Sequence, residues 1–116
     1  MPVLARVIEA VGISTVVVTA MPDLAERLGV PRIVGVEFPF GHTLGHAGDR
    51  EEQTKVIRDA LRVLRDARQP NIVEHLPYEW PDVERWKREW QPREPSPIVA
   101  LFMERLRRAR AAKQSL

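Results

Sequence analysis

Two short β-branched runs, Thr15-Val16-Val17-Val18-Thr19 and Ile33-Val34-Gly35-Val36, constrain this chain more than any other feature. Each is too short for a helix and is apolar enough for a strand buried on both faces. Helix patterns stand before, between and after them. In residues 3–11, Val3, Leu4, Val7, Ile8 and Val11 share one stripe, and Gly12 is placed to end it. Met21-Pro22-Asp23 opens a second pattern over residues 24–28, stopped by Gly29 and Pro31. The order helix–strand–helix–strand–loop–helix predicts an α/β fold: a small open parallel sheet with flanking helices and right-handed crossovers.

The second run leads into Phe38-Pro39-Phe40-Gly41-His42-Thr43-Leu44-Gly45-His46-Ala47-Gly48-Asp49. Three of the six glycines and two of the three histidines fall in these twelve residues. Gly41, Gly45 and Gly48 mark a loop of specific shape, and loops held between rigid elements carry much of protein chemistry. Asp49 stands at an N-cap position, with Glu51 and Glu52 in the first turn of the helix that follows. That helix should bury Val56, Ile57, Ala60, Leu61, Val63, Leu64 and Ala67 and end by Pro70.

Composition changes at Pro70, which suggests an α/β domain over residues 1–69 and a Pro/Trp-rich arm with a terminal helix over 70–116. Six of the ten prolines, all three tryptophans and the one tyrosine lie in the second part. A short helix is expected at 82–90 and a terminal one at 97–112, capped by Ser96 with Pro97 in its first position. Tyr78, Trp80, Trp86 and Trp90 either bind a partner, as aromatic anchors do at interfaces, or cover the chain's own sheet. The last 32 residues carry nine Lys/Arg against three Asp/Glu, so the net charge of +2 hides a basic tail on an acidic body. No nucleic-acid motif accompanies that charge, and a solvated helix face or an acidic partner subunit explains it as well.

Several classes of chemistry are excluded or weakened. Without cysteine there is no disulfide, no thiolate metal site and no cysteine nucleophile on this chain. None of the three serines sits in a nucleophile elbow. The glycine spacing matches neither a P-loop nor a dinucleotide fingerprint. Loop amides and a helix N-terminus would suit an anion, but Glu51 and Glu52 would repel it. His42 and His46 have the i, i+4 spacing of helical metal ligands, yet their stretch reads as loop, which leaves a metal-dependent enzyme as a lesser alternative. No stretch is apolar enough to span a membrane, and the N-terminus has no signal-peptide pattern, so a cytoplasmic protein is expected.

Ala5-Arg6-Val7-Ile8-Glu9-Ala10-Val11-Gly12-Ile13-Ser14-Thr15-Val16, then Pro31-Arg32-Ile33-Val34, then Phe38-Pro39-Phe40-Gly41-His42-Thr43-Leu44-Gly45 resemble a known family. It is the selenoprotein B component of glycine, sarcosine and betaine reductases, to which the D-proline reductase selenoprotein is similar. The resemblance covers about residues 5–64. Three departures stand out. The family's redox selenocysteine or cysteine lies just before the segment matching Ala5 to Ile8, where this chain begins without one. Thr43 stands where the family's loop often has proline. The arm after residue 70 has no counterpart.

The resemblance implies reductive C–N cleavage by a selenol or thiol on a second polypeptide, with this chain as a small subunit supplying the substrate-side loop. His42 is then the expected proton donor or substrate ligand. Glu37 and Asp49 would hold the ammonium group of a small amine or amino-acid-like substrate, with Thr43 and His46 beside them and Gly41 and Gly45 shaping the loop. No cofactor is expected on this chain, and neither nucleic acid nor membrane is an expected partner. The alternative is a non-catalytic structural or regulatory subunit of such a complex. In either case an oligomer is expected, with a partner covering the apolar first helix.

Overall fold

A computed structural model describes residues 1–89, 94 and 96–114, with side chains described except at 106 and 108–114. Its elements run α1 (Pro2–Ala10), β1 (Val17–Thr19), α2 (Pro22–Arg27), β2 (Arg32–Gly35), α3 (Arg50–Asp66), β3 (Ile72–His75), α4 (Val83–Glu89) and α5 (Pro97–Gln114). The three strands form one parallel sheet in the order β1-β2-β3. Val17, Ile33 and Val73 stand in one row across it, and Val18, Val34 and Glu74 in the next. The small α/β fold expected from the sequence is what the chain adopts.

β3 lies beyond the point where the composition changes. The Pro70 break marks the end of α3 and not the edge of the sheet, because Ile72 to His75 pair with Arg32 to Gly35. The turn into β3 passes through Asn71 at φ 62°, a left-handed conformation that asparagine tolerates better than most residues. Leu76 and Trp80, further along, are buried in the same core as Val34 and Val36.

Side chains alternate across β2 and so meet different helices. Val34 and Val36 pack with Phe38, with Val56, Ala60 and Val63 of α3, and with Leu76 and Trp80. Ile33 faces the other way, onto Ala25 of α2 and Val30, with Val17 and Val73 beside it. α2 and α3 therefore cover opposite faces. With parallel strands in sequential order, two crossovers of one hand would put both helices on the same face. The two connections thus differ in hand, and one departs from the right-handed expectation. α2 has only six residues, so its connection is a tight one.

At the opposite end of the sheet from the long loop, α1 is tied down by charge. Glu9 accepts from the Thr15 amide and hydroxyl and pairs with Arg32 at 2.7 Å. Burial alone would raise the Glu9 pKa, but the Thr15 bonds and the Arg32 guanidinium more than offset it and leave it lowered. Much apolar surface stays open. Val3, Val7 and Val11 near α1, Ile57 and Leu61 of α3, and Ile98, Leu101, Phe102 and Met103 of α5 are all exposed. Only part of the broad apolar face expected for α3, namely Val56, Ala60 and Val63, is buried.

Candidate functional site

The loop between β2 and α3 is three consecutive turns. His42 N–H donates to the Pro39 carbonyl at 3.0 Å, Gly45 N–H to His42 at 2.8 Å, and Asp49 N–H to His46 at 3.1 Å. The first and third turns have glycine at their third position, Gly41 at φ 89° and Gly48 at φ 81°, as a type II turn requires. Gly45, at φ 112°, is glycine for a second reason: Glu52 fills the space beside it.

Glu52 lies at the third position of α3 and folds back over the loop. One of its oxygens, Oε2, accepts from the His46 amide at 2.6 Å and meets His46 Nδ1 at 2.8 Å. The His46 amide, foremost, and the His46 ring hold the Glu52 carboxyl below the usual carboxylate range, against the opposing effects of burial and of Asp49. Asp49 is the N-cap and accepts from the Glu52 amide at 2.9 Å. Gln53 donates its side-chain amide to the His46 carbonyl at 2.7 Å.

Aromatic rings form the wall next to this loop. The His46 ring stacks flat on Trp80, with centroids 3.7 Å apart and planes 6° from parallel. His42 tilts against the same indole at 5.0 Å and meets Trp86 edge-on at 6.1 Å. Phe38 meets Trp80 edge-on at 5.6 Å, a favoured aromatic geometry. Beside this wall, beyond the carboxyl ends of β1 and β2, opens a cleft of about 270 Å³ lined by Met21, Glu37, Phe40, Trp86 and Lys87 among others. Open α/β sheets bind their ligands at that end.

The structure brings His42 and His46 together on Trp80 and places Glu37 at the cleft, where its carboxylate pairs with Lys87 at 2.9 Å. Thr43 is half-buried between the two histidines in sequence. Asp49 is engaged at the helix cap. Among the aromatic residues expected on a partner surface, Trp80 is only 7% exposed and belongs to the chain's own core, whereas Trp86 is 43% exposed. Tyr78 packs against that core and donates its hydroxyl to Asp59 at 2.5 Å, which raises its pKa. Trp90 lies outside the described residues. Among those described, no group of three or more His, Cys, Asp or Glu side chains could hold a metal ion. No helix there is long and apolar enough to cross a membrane.

Sequence reasoning missed Glu52, Gln53 and Lys87. The spacing of Asp49 and Glu52 is that of a capping box, in which the acid at the third helical position reaches back over the N-terminus. That was the available signal for Glu52; for Lys87 there was none.

Fold and site together define a small parallel α/β domain with an aromatic-walled cleft and a histidine-bearing loop at the carboxyl end of its sheet. In sequence, the chain is 32% identical over 75 residues to the D-proline reductase subunit gamma of Acetoanaerobium sticklandii. The match takes in 65% of this chain but 31% of that protein, so the chain corresponds to about a third of its relative. This similarity supports a relation to the D-proline reductase family. No family model matches the chain, and no solved structure matches it significantly.

Proposed function

We propose that this chain is a subunit of a reductase complex that cleaves C–N bonds, and that its 38–49 loop faces a small amine or amino-acid-like substrate. The observation that carries this reading is the similarity to a protein named as one subunit of D-proline reductase. Such a cleavage delivers two electrons and a proton to the carbon and a second proton to the departing nitrogen. The electrons need a thiol or selenol, which a chain without cysteine leaves to a partner polypeptide. The proton for the nitrogen is within this chain's means. His42 is half-buried against Trp80 and Trp86, and histidine is the side chain most often used as a general acid or base. Glu37 already holds an ammonium, that of Lys87, and a substrate ammonium would compete for the same carboxylate. The open apolar faces of α1 and α5 supply surface for the partner.

The test is co-production with a partner chain carrying a redox cysteine or selenocysteine, assayed for ring-opening of D-proline. The complex should turn over, the chain alone should not, and His42→Ala should abolish turnover without loss of assembly. A chain that never associates with such a partner would overturn the reading. A second reading, a structural subunit, is favoured by the internal engagement of Glu37, Asp49 and Trp80. It predicts an unchanged rate for His42→Ala.

A further inference from the structure

We infer that Glu52 is a positioning residue that holds His46 as its Nδ1–H tautomer, so that Nε2 is the proton-accepting atom this loop presents to a bound ligand. A carboxylate without its proton can only accept hydrogen bonds. Glu52 Oε2 accepts one from the His46 amide, a donor that never titrates, and this bond favours the ionised carboxylate. The same oxygen lies 2.8 Å from His46 Nδ1. A ring nitrogen this close to a carboxylate oxygen must carry the hydrogen, because two lone pairs would otherwise face each other. Nδ1 is therefore protonated whether the ring is neutral or charged, and Nε2 is the nitrogen that gains and loses a proton.

The surroundings hold this choice in place. Stacking on Trp80 at 3.7 Å fixes the plane of the imidazole. Gly45 leaves the space that Glu52 occupies, and Gln53 anchors the His46 carbonyl. The His46 side chain is nevertheless 45% exposed, so it remains accessible from outside. When Nε2 takes a proton from a ligand N–H or O–H, that bond breaks, an imidazolium forms, and the Glu52 carboxylate balances its charge. A histidine ordered by a carboxylate at one nitrogen and working through the other is a recurring catalytic arrangement. The ligand would be the amine of the reading above, and to that extent the inference rests on it. The tautomer itself does not depend on the reaction.

The experiment is imidazole nitrogen NMR on the uniformly labelled full chain, above the titration of His46. The expected spectrum has a protonated Nδ1 and a bare Nε2. Glu52→Ala, which removes the acceptor oxygen, should shift His46 towards the Nε2–H form. It should also slow carbethoxylation of His46 several-fold, read by peptide mass spectrometry with His42 and His75 as internal references. A neutral wild-type His46 protonated at Nε2 would overturn the inference. So would a tautomer and acylation rate unchanged by the substitution. The wild-type spectrum decides the tautomer even if the variant fails to fold. In the assembled complex, absence of C–N cleavage with the Nδ1–H tautomer present would remove the proposed reaction and leave this inference standing.

Discussion

Gly45→Ala offers the sharpest test of how the loop is built. A Cβ at this position would lie 2.4 Å from Glu52 Oε2, 2.6 Å from its Cδ and 2.8 Å from its Cγ. The backbone at φ 112° is also strained for any residue with a side chain, at about 1–3 kcal/mol. Glu52 can swing aside, but doing so breaks its bonds to His46, which together are worth at least one hydrogen bond to a charged group, about 1.5–3 kcal/mol. The total with one such bond, about 2.5–6 kcal/mol, is a large part of the 5–15 kcal/mol typical of a domain. Gly41→Ala isolates the strain, because a Cβ there meets nothing within 4 Å at φ 89°. In a Glu52→Ala background the three atoms nearest the new Cβ at position 45, all of the Glu52 side chain, are gone, so Gly45→Ala should there cost mainly the strain. Urea titrations followed by far-UV circular dichroism and tryptophan fluorescence would give the four corners of the cycle. The expected coupling is about 1.5–3 kcal/mol. An equal cost for Gly45→Ala in both backgrounds would refute the role given to Glu52.

Other outcomes follow from the same geometry. The Glu52 pKa is lowered on folding, so its contribution is fully present above the unfolded-state pKa and is lost as pH falls through the lower folded value. Glu52→Gln should therefore destabilise the chain at neutral pH, and its gap from wild type should close on acidification through and below the ordinary carboxylate range; a gap that persists in acid would contradict this. Trp80→Ala should cost about 3–5 kcal/mol, because it empties a core position, whereas Trp86→Ala should cost about 1 kcal/mol or less. Equal losses in chemical denaturation would mean that the two tryptophans do not divide in this way. Phe102→Ser on α5, where Phe102 is 60% exposed, should leave stability within about 0.5 kcal/mol and weaken association in sedimentation experiments. A large loss of stability would show that α5 packs on its own chain.

How much of this was legible in sequence depended on whether the deciding contacts were local. The two β-branched runs, the glycine stops and the Asp49 cap act within a few residues, and the elements they announce are present. β3 was not legible. Ile72 and Val73 are a pair of apolar residues between Asn71 and Glu74, too short a run to signal a strand, and what makes them one is the open edge of β2. Trp80 shows the same dependence. Its burial against Phe38 and Val34 follows from β3 joining the sheet and returning the chain over α3, so composition alone could not separate a core tryptophan from a partner anchor. The loop was legible as a shape but not as a set of contacts. Gly41 and Gly48 could be assigned to turns because turn chemistry is local. The significance of Gly45 lay instead in Glu52, seven residues on, whose carboxylate needs the space that a side chain at 45 would fill. Read as one of two acids favouring a helix dipole, Glu52 was a surface charge. With its oxygen on both the amide and the ring of His46, it fixes which nitrogen of that histidine is free. That reverses the order in which the loop's two histidines should be examined: His42 has the aromatic surroundings, but His46 has the partner that sets its chemistry.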